Sequence, residues 1–222
     1  RLDRKQMETL MADSDFVVIA AGAQKPRTLP VPGKERMIPA LEFLSRAKAE
    51  DIRPGKSVVI IGAGNVGCDV ATEAHRLGAE DITLIDIQEP LSFGKERDAA
   101  EAVGAKFRWP VSTKEVTSEG VKLNTGEMIL ADTVVISIGD VPDIDFLPET
   151  VEIERGFVKV NEYYQTSDPK IFAIGDVVRQ GLLTDAIGAG RKTAQAITDI
   201  FKSGRPSHHG RASRSGYTSR KA

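Results

Sequence analysis

The 222-residue sequence holds one cysteine, one tryptophan and three histidines, and aromatic residues make up only 5% of it. The lone thiol, Cys68, excludes an internal disulfide, a Cys-x-x-Cys redox pair and a Cys-ligated iron–sulfur cluster within this chain. That usage is expected of a protein kept in the reducing cytoplasm, with Cys68 itself a small core residue. His75, His208 and His209 show no metal-ligand spacing on a structured element, so no metal site is expected. No apolar run approaches the roughly 18–20 residues needed to cross a bilayer, and no apolar leader follows Arg1. Neither a membrane span nor a secretory signal is expected. A G-x-S-x-G nucleophile elbow is also missing.

The composition is otherwise that of a globular protein, with 41% hydrophobic and 28% charged residues. The net charge of -2 is unevenly placed. Arg205, Arg211, Arg214, Arg220 and Lys221 lie in a Ser- and Gly-rich tail over 203–222 that has no acidic residue. Such a segment reads as disordered. The remainder is mildly acidic and makes a poor nucleic-acid platform.

Residues 2–11 have a helical look. Asp15–Gly22 (DFVVIAAG) is a short apolar run bounded by an acid and a glycine, which is the pattern of a buried parallel strand. Pro26, Pro30, Pro32 and Gly33 then mark an extended connector. A helix is expected from Pro39 to about Glu50, stopped at Pro54-Gly55. A βαβ unit follows: strand 57–61, a glycine loop, helix 65–77 ended by Gly78, and strand 82–85. A further helix over 96–103 and a strand over 106–109 come next, then alternating apolar positions around Asn124-Thr125-Gly126 that read as an antiparallel hairpin. DFVVIAAG is echoed by Asp132–Gly139 (DTVVISIG), one copy on each side of the βαβ unit. Two such strands suggest two crossings between nucleotide-binding domains. A strand over 157–160, the block Ile171–Asp176 (IFAIGD) and a helix over about 186–201 complete the chain.

The most informative motif is Gly62-Ala63-Gly64-Asn65-Val66-Gly67, a G-x-G-x-x-G that follows an apolar strand and opens a helix, with Asp86 at the end of the next strand. Gly62 permits the tight turn, Gly64 lets the backbone approach a pyrophosphate, and Gly67 lets the helix lie close to the strand. The helix N-terminus offers free N–H groups to phosphate. Asp86 suits the hydroxyls of an adenosine ribose and opposes a 2′-phosphate. At about 4 Å and an effective dielectric near 20 that repulsion is on the order of 4 kcal/mol per charge pair before screening. NAD(H) is therefore expected over NADP(H). Asp143 and Asp145 sit in a Pro-bounded loop and read as a solvated turn.

These blocks resemble the flavin-dependent pyridine nucleotide oxidoreductases, most of all the glutamate synthase small (beta) chain and its relatives. VVIAAGAQKPRTLPVPG is similar to that family's first inter-domain strand and proline linker. SVVIIGAGNVGCDVA is similar to its NAD(P) fingerprint, and DTVVISIG, closed by Gly139, to its return strand. VKVNEYYQTSDPKIFAIGDV with TDAIGAGRKTAQAI is similar to its flavin-domain closing segment. The resemblance implies that Gly175 and Asp176 contact the ribityl–pyrophosphate part of FAD, and that Thr184, Ala186 and Ile187 approach its isoalloxazine. A separate N-terminal flavin fingerprint is absent, so the chain is expected to be a C-terminal fragment. Relatives using NADPH place Arg where Asp86 and Ile87 stand.

The expected fold is thus α/β, a Rossmann-like NAD(P)-binding domain (35–140) inserted into an incomplete FAD-binding domain (1–34 and 141–202). The implied function is part of an FAD-dependent oxidoreductase that takes hydride from NADH and passes electrons to a partner protein or iron–sulfur acceptor. A non-catalytic dinucleotide-binding sensor or scaffold is the alternative.

Overall fold

The computed structural model describes residues 2–204; the segment from Arg205 onward, with most of the tail expected to be disordered, lies outside the described residues. The first helix, α1 (Arg4–Asp13), opens on a reciprocal cap: Gln6 N–H donates to Asp3 Oδ1 at 2.8 Å, and Asp3 N–H to Gln6 Oε1 at 2.9 Å. Strand β1 (Val17–Ile19) follows, then a two-residue strand β2 (Lys25–Pro26).

The central part begins with β3 (Met37–Pro39) and α2 (Ala40–Lys48). The βαβ unit is β4 (Ser57–Ile61), α3 (Asn65–Arg76) and β5 (Asp81–Ile85). It is succeeded by α4 (Gly94–Ala102), β6 (Lys106–Arg108), an antiparallel ladder of β7 (Thr113–Val116), β8 (Gly120–Leu123) and β9 (Met128–Leu130), and β10 (Thr133–Ile136). Five strands form one parallel sheet in the order β3-β10-β4-β5-β6. Because successive strand side chains point to opposite faces, a sheet covered on both sides needs unbroken apolar strands. On one face Val58, Ile60, Ile82, Leu84 and Val135 pack with Phe43 and Ala47 of α2, Val70, Ala71 and Ala74 of α3, and Ala100 of α4. On the other, Val59, Ile61, Ile85, Val134 and Ile136 meet Val116, Val121 and Leu123 of the antiparallel ladder. Truncating Phe43, which is fully buried, would cost about 3–5 kcal/mol.

The remainder runs through β11 (Asp140–Val141), which pairs with β2, then the hairpin β12 (Ile153–Glu154) and β13 (Phe157–Val158), β14 (Ile171–Ala173) and α5 (Leu183–Lys202). β1 and β14 pair in parallel, Val18 opposite Phe172. Met7, Ile19, Leu147, Val151, Val158, Ile171, Ala173 and Val177 form the core there.

The chain divides into two compact units, Pro26–Asp140 and the segments that flank it. Residues 26–34, expected with the first flanking segment, belong to the central unit instead. The reason is local: Leu29 and Val31 pack on the Val121 cluster, and Val116 N–H donates to Pro32 O at 2.9 Å. Helix α5 begins three residues before the expected start. Its first turn is stabilised from within, Leu182 N–H donating to Asp185 Oδ2 at 2.9 Å, so Leu182 gives no capping signal in the sequence. No described helix is long and apolar enough to cross a membrane.

Candidate functional site

The glycine turn joins β4 to α3 at the carboxyl ends of the parallel strands, the edge where open α/β sheets bind ligands. Gly62 has φ +107°, and its N–H donates to Ile85 O at 2.8 Å. A Cβ there would stand 2.2 Å from Ser137 O, the backbone that ends β10. Gly67, inside the first turn of α3, would put a Cβ 2.3 Å from Gly62 O. Both positions therefore exclude any side chain. Gly64 differs: a Cβ there would meet nothing within 4 Å. It is the N-cap of α3, and no side chain caps the helix. The first intrahelical bond is Cys68 N–H to Gly64 O at 3.1 Å, so the N–H groups of Asn65, Val66 and Gly67 precede the hydrogen-bonded ladder. A tight, closed turn with an open second glycine and an uncapped helix start has room and free N–H donors for a phosphate group.

Asp86, half-buried at the end of β5, is held against this turn. Ala63 N–H donates to its Oδ2 at 2.9 Å and Gln88 N–H to its Oδ1 at 3.3 Å. Its own backbone is fixed too, N–H to Arg108 O at 3.1 Å and O from Val111 N–H at 2.8 Å. Each carboxylate oxygen has a second lone pair for a ribose hydroxyl. The bond from Ala63 was not legible in the spacing. Asn65 is placed at the turn, but its side chain is occupied: Oδ1 accepts Phe93 N–H at 2.9 Å, and Nδ2 donates to Glu96 Oε2 at 3.4 Å. Val66 is exposed. Gly139, with φ +88°, accepts Arg27 N–H at 3.1 Å.

Cys68 follows directly and is fully buried in the helix-side core. Burial pushes its thiol above the usual range, against a smaller opposing effect of a hydrogen bond with Ser92. It is a packing residue, with the thiolate disfavoured.

The second group of candidate residues lies in the flanking unit. Gly175, with φ +72°, begins a 3-10 turn after β14, and Asp176 Oδ1 accepts Gly181 N–H at 3.3 Å. Thr184 and Ile187 are exposed on the first turns of α5, and Ala186 is half-buried. Leu182 and Leu183 add to the exposed apolar surface there. The sequence has one G-x-G-x-x-G, in the central unit, so a second phosphate cradle of that kind does not accompany them.

The sequence pattern of the pyridine nucleotide-disulphide oxidoreductase family matches residues 2–215. The chain belongs to that family. Its members are pyridine-nucleotide-dependent oxidoreductases that bind FAD. The chain is 32% identical to rhodocoxin reductase of Rhodococcus erythropolis over 200 residues, 79% of this chain and 46% of that one. It is 30% identical to the NAD-dependent dihydropyrimidine dehydrogenase subunit PreT of Escherichia coli K12, covering 86% of this chain and 48% of the relative. The NADPH glutamate synthase small chain of Mycobacterium tuberculosis is 32% identical, covering 86% and 50%. The chain thus spans about half the length of these curated relatives. Thioredoxin reductase of T. acidophilum has the same fold, with a TM-score of 0.71 at 24% identity over 84% of this chain and 66% of that one. The family's name includes a disulphide, yet this chain holds one cysteine.

Proposed function

We propose that the chain forms the nicotinamide-nucleotide portion, with part of the flavin portion, of an FAD-dependent oxidoreductase that accepts hydride from NADH and delivers electrons to a protein partner. The observation that carries this reading is the glycine turn, closed to side chains at Gly62 and Gly67 and open at Gly64. The pyrophosphate would lie over Gly64 and the N–H groups of Asn65, Val66 and Gly67, with the adenosine ribose at Asp86. Gly139 would border the same nucleotide. In the flanking unit Gly175, Asp176, Thr184, Ala186 and Ile187 would hold one side of FAD. When bound, the flavin supplies the relay between a two-electron donor and the next acceptor. The relatives' names include reductase components, which supports an electron-accepting protein or domain as partner, of iron–sulfur or similar chemistry. Those names include both NAD- and NADPH-dependent enzymes, so the choice of nucleotide rests on Asp86.

Calorimetric titration tests the assignment. NADH should bind more tightly than NADPH by on the order of 100-fold, because repulsion of a few kcal/mol is partly screened at a solvent-facing ribose. Asp86→Ala combined with Ile87→Arg should narrow or reverse the preference, and Gly64→Val should weaken both nucleotides alike. Equal affinities in the unmodified chain would refute a discriminating role for Asp86.

A further inference from the structure

Helix α5 is twenty residues long, yet Ala189 and Thr193 are its only buried residues. Toward its C-terminal end it forms one wall of a cavity of about 630 Å³ within the flanking unit. Lys192, Asp199 and Ile200 line this cavity from the helix, Phe172 from β14, and Glu162 and Tyr163 from the connector that precedes β14. The connector is held in place. Asn161 Oδ1 accepts the N–H groups of Tyr163 at 2.9 Å and Gln165 at 3.0 Å, and Ala173 N–H of β14 donates to Tyr164 O at 2.9 Å. Tyr163 is 56% exposed. Glu162, Lys192 and Asp199 are exposed too, and among the described residues none of the three is in an ion pair; Asp199 Oδ1 accepts Gln195 Nε2–H at 2.9 Å.

The chain leaves α5 at the Asp199 end of this cavity, with Lys192 about 10 Å farther back along the helix axis. Gly204, at φ +66°, donates its N–H to Phe201 O at 3.4 Å, a left-handed helix end that turns the backbone off the axis. Residues 205–222 then carry five basic side chains and no acidic one. A segment this poor in apolar residues has no core of its own and orders only against another surface. We propose that the cavity is the docking site of this C-terminal segment, with the guanidinium groups of Arg205 and Arg211 seated at Asp199 and Glu162 and on the Tyr163 ring. A guanidinium pairs with carboxylates through its fork of donors and stacks flat on an aromatic face, so one groove offering both suits arginine better than lysine. Extended at about 3.3 Å per residue, 205–211 covers about 20 Å, enough to lie along the groove from its Asp199 end. The two acids without a cationic partner thereby gain one from the same chain.

Trypsin cleavage of the full 222-residue chain after Arg211 tests this, because cutting tracks the population of the undocked segment. A synthetic peptide of residues 205–222 gives the undocked rate in the same buffer. At low salt the bond in the intact chain should be cut about tenfold more slowly than in the peptide. Glu162→Gln combined with Asp199→Asn should bring the two rates together, and so should about 1 M salt, where the Debye length falls to about 3 Å. Tyr163→Ala should recover about threefold. Arg205→Ala, which leaves the folded part untouched, should also speed the cut and guards against a fold defect in the other variants. Equal rates in the unmodified chain and the peptide would overturn the proposal. Protection that survives the loss of both acids and of Tyr163 would place the segment elsewhere and overturn it equally. Protection that grows with protein concentration would make a second copy the host and overturn docking within one chain.

Discussion

The same eight-residue pattern, acid-x-Val-Val-Ile-x-x-Gly, occurs twice in this chain with different outcomes. At 132–139 it becomes β10, flanked by β3 and β4, with Val134, Val135 and Ile136 buried. At 15–22 it becomes β1, paired with β14 in a two-stranded ladder, and Val18 is 43% exposed where its counterpart Val135 is 0%. The local pattern therefore specifies a strand, and the number of neighbours specifies what each side chain experiences.

That contrast is open to direct attack. The largest difference should come from a buried charge. Val135→Asp should cost about 4 kcal/mol or more and abolish cooperative unfolding of the central unit, while Val18→Asp should cost about 1 kcal/mol. Urea denaturation of the two variants measures both, and equal losses would break the comparison. Next come the turns. Gly62→Ala forces a side chain onto Ser137 O at a positive φ and should cost roughly 2–4 kcal/mol together with nucleotide binding. Gly22, which ends the other copy, has φ +69° and only Gln24 Nε2 at 3.9 Å, so Gly22→Ala should cost about 1 kcal/mol from backbone strain alone.

The smallest effect concerns the leading acid of the second copy. Asp132 Oδ2 accepts Lys56 N–H at 2.7 Å, Ser57 N–H at 2.9 Å and the Ser57 hydroxyl at 3.0 Å. The Ser57 and Lys56 backbone bonds hold its carboxyl below the usual range. A group with a lowered folded pKa stabilises the protein above its ordinary titration range, and that contribution fades as pH falls through the folded value. Asp132→Asn should thus lower the urea midpoint at pH 7, and the gap to the unmodified chain should narrow at pH 3. A gap that is unchanged on acidification would remove Asp132 from the account.

The parts that were readable share one property: their determinants are adjacent in sequence. Strand 57–61, the three glycines, helix α3 and Gly78 at its end follow one another, so turn chemistry and periodicity locate them without the rest of the fold. The features that escaped all depend on contacts across the chain. Asn65 has the look of a phosphate-turn residue, yet its amide is taken by Phe93 and Glu96. Residues 26–34 read as a connector because of their prolines, while the Val121 cluster that claims Leu29 and Val31 is formed far along the sequence. Asp86 could be placed at the edge of the glycine turn from its position after a strand, but nothing local announces its bond to Ala63.

Cys68 has a consequence of another kind. A single thiol, fully buried one residue past the glycine turn, makes the chain its own opening gauge. An aromatic disulfide reagent in solution can reach the sulfur only during fluctuations that lift α3 from the sheet, so the labelling rate counts those excursions one molecule at a time. A nucleotide seated at the start of α3 should make them rarer. The slowing of colour release with added NADH would then give the occupancy of the site without any catalytic turnover and without an introduced probe.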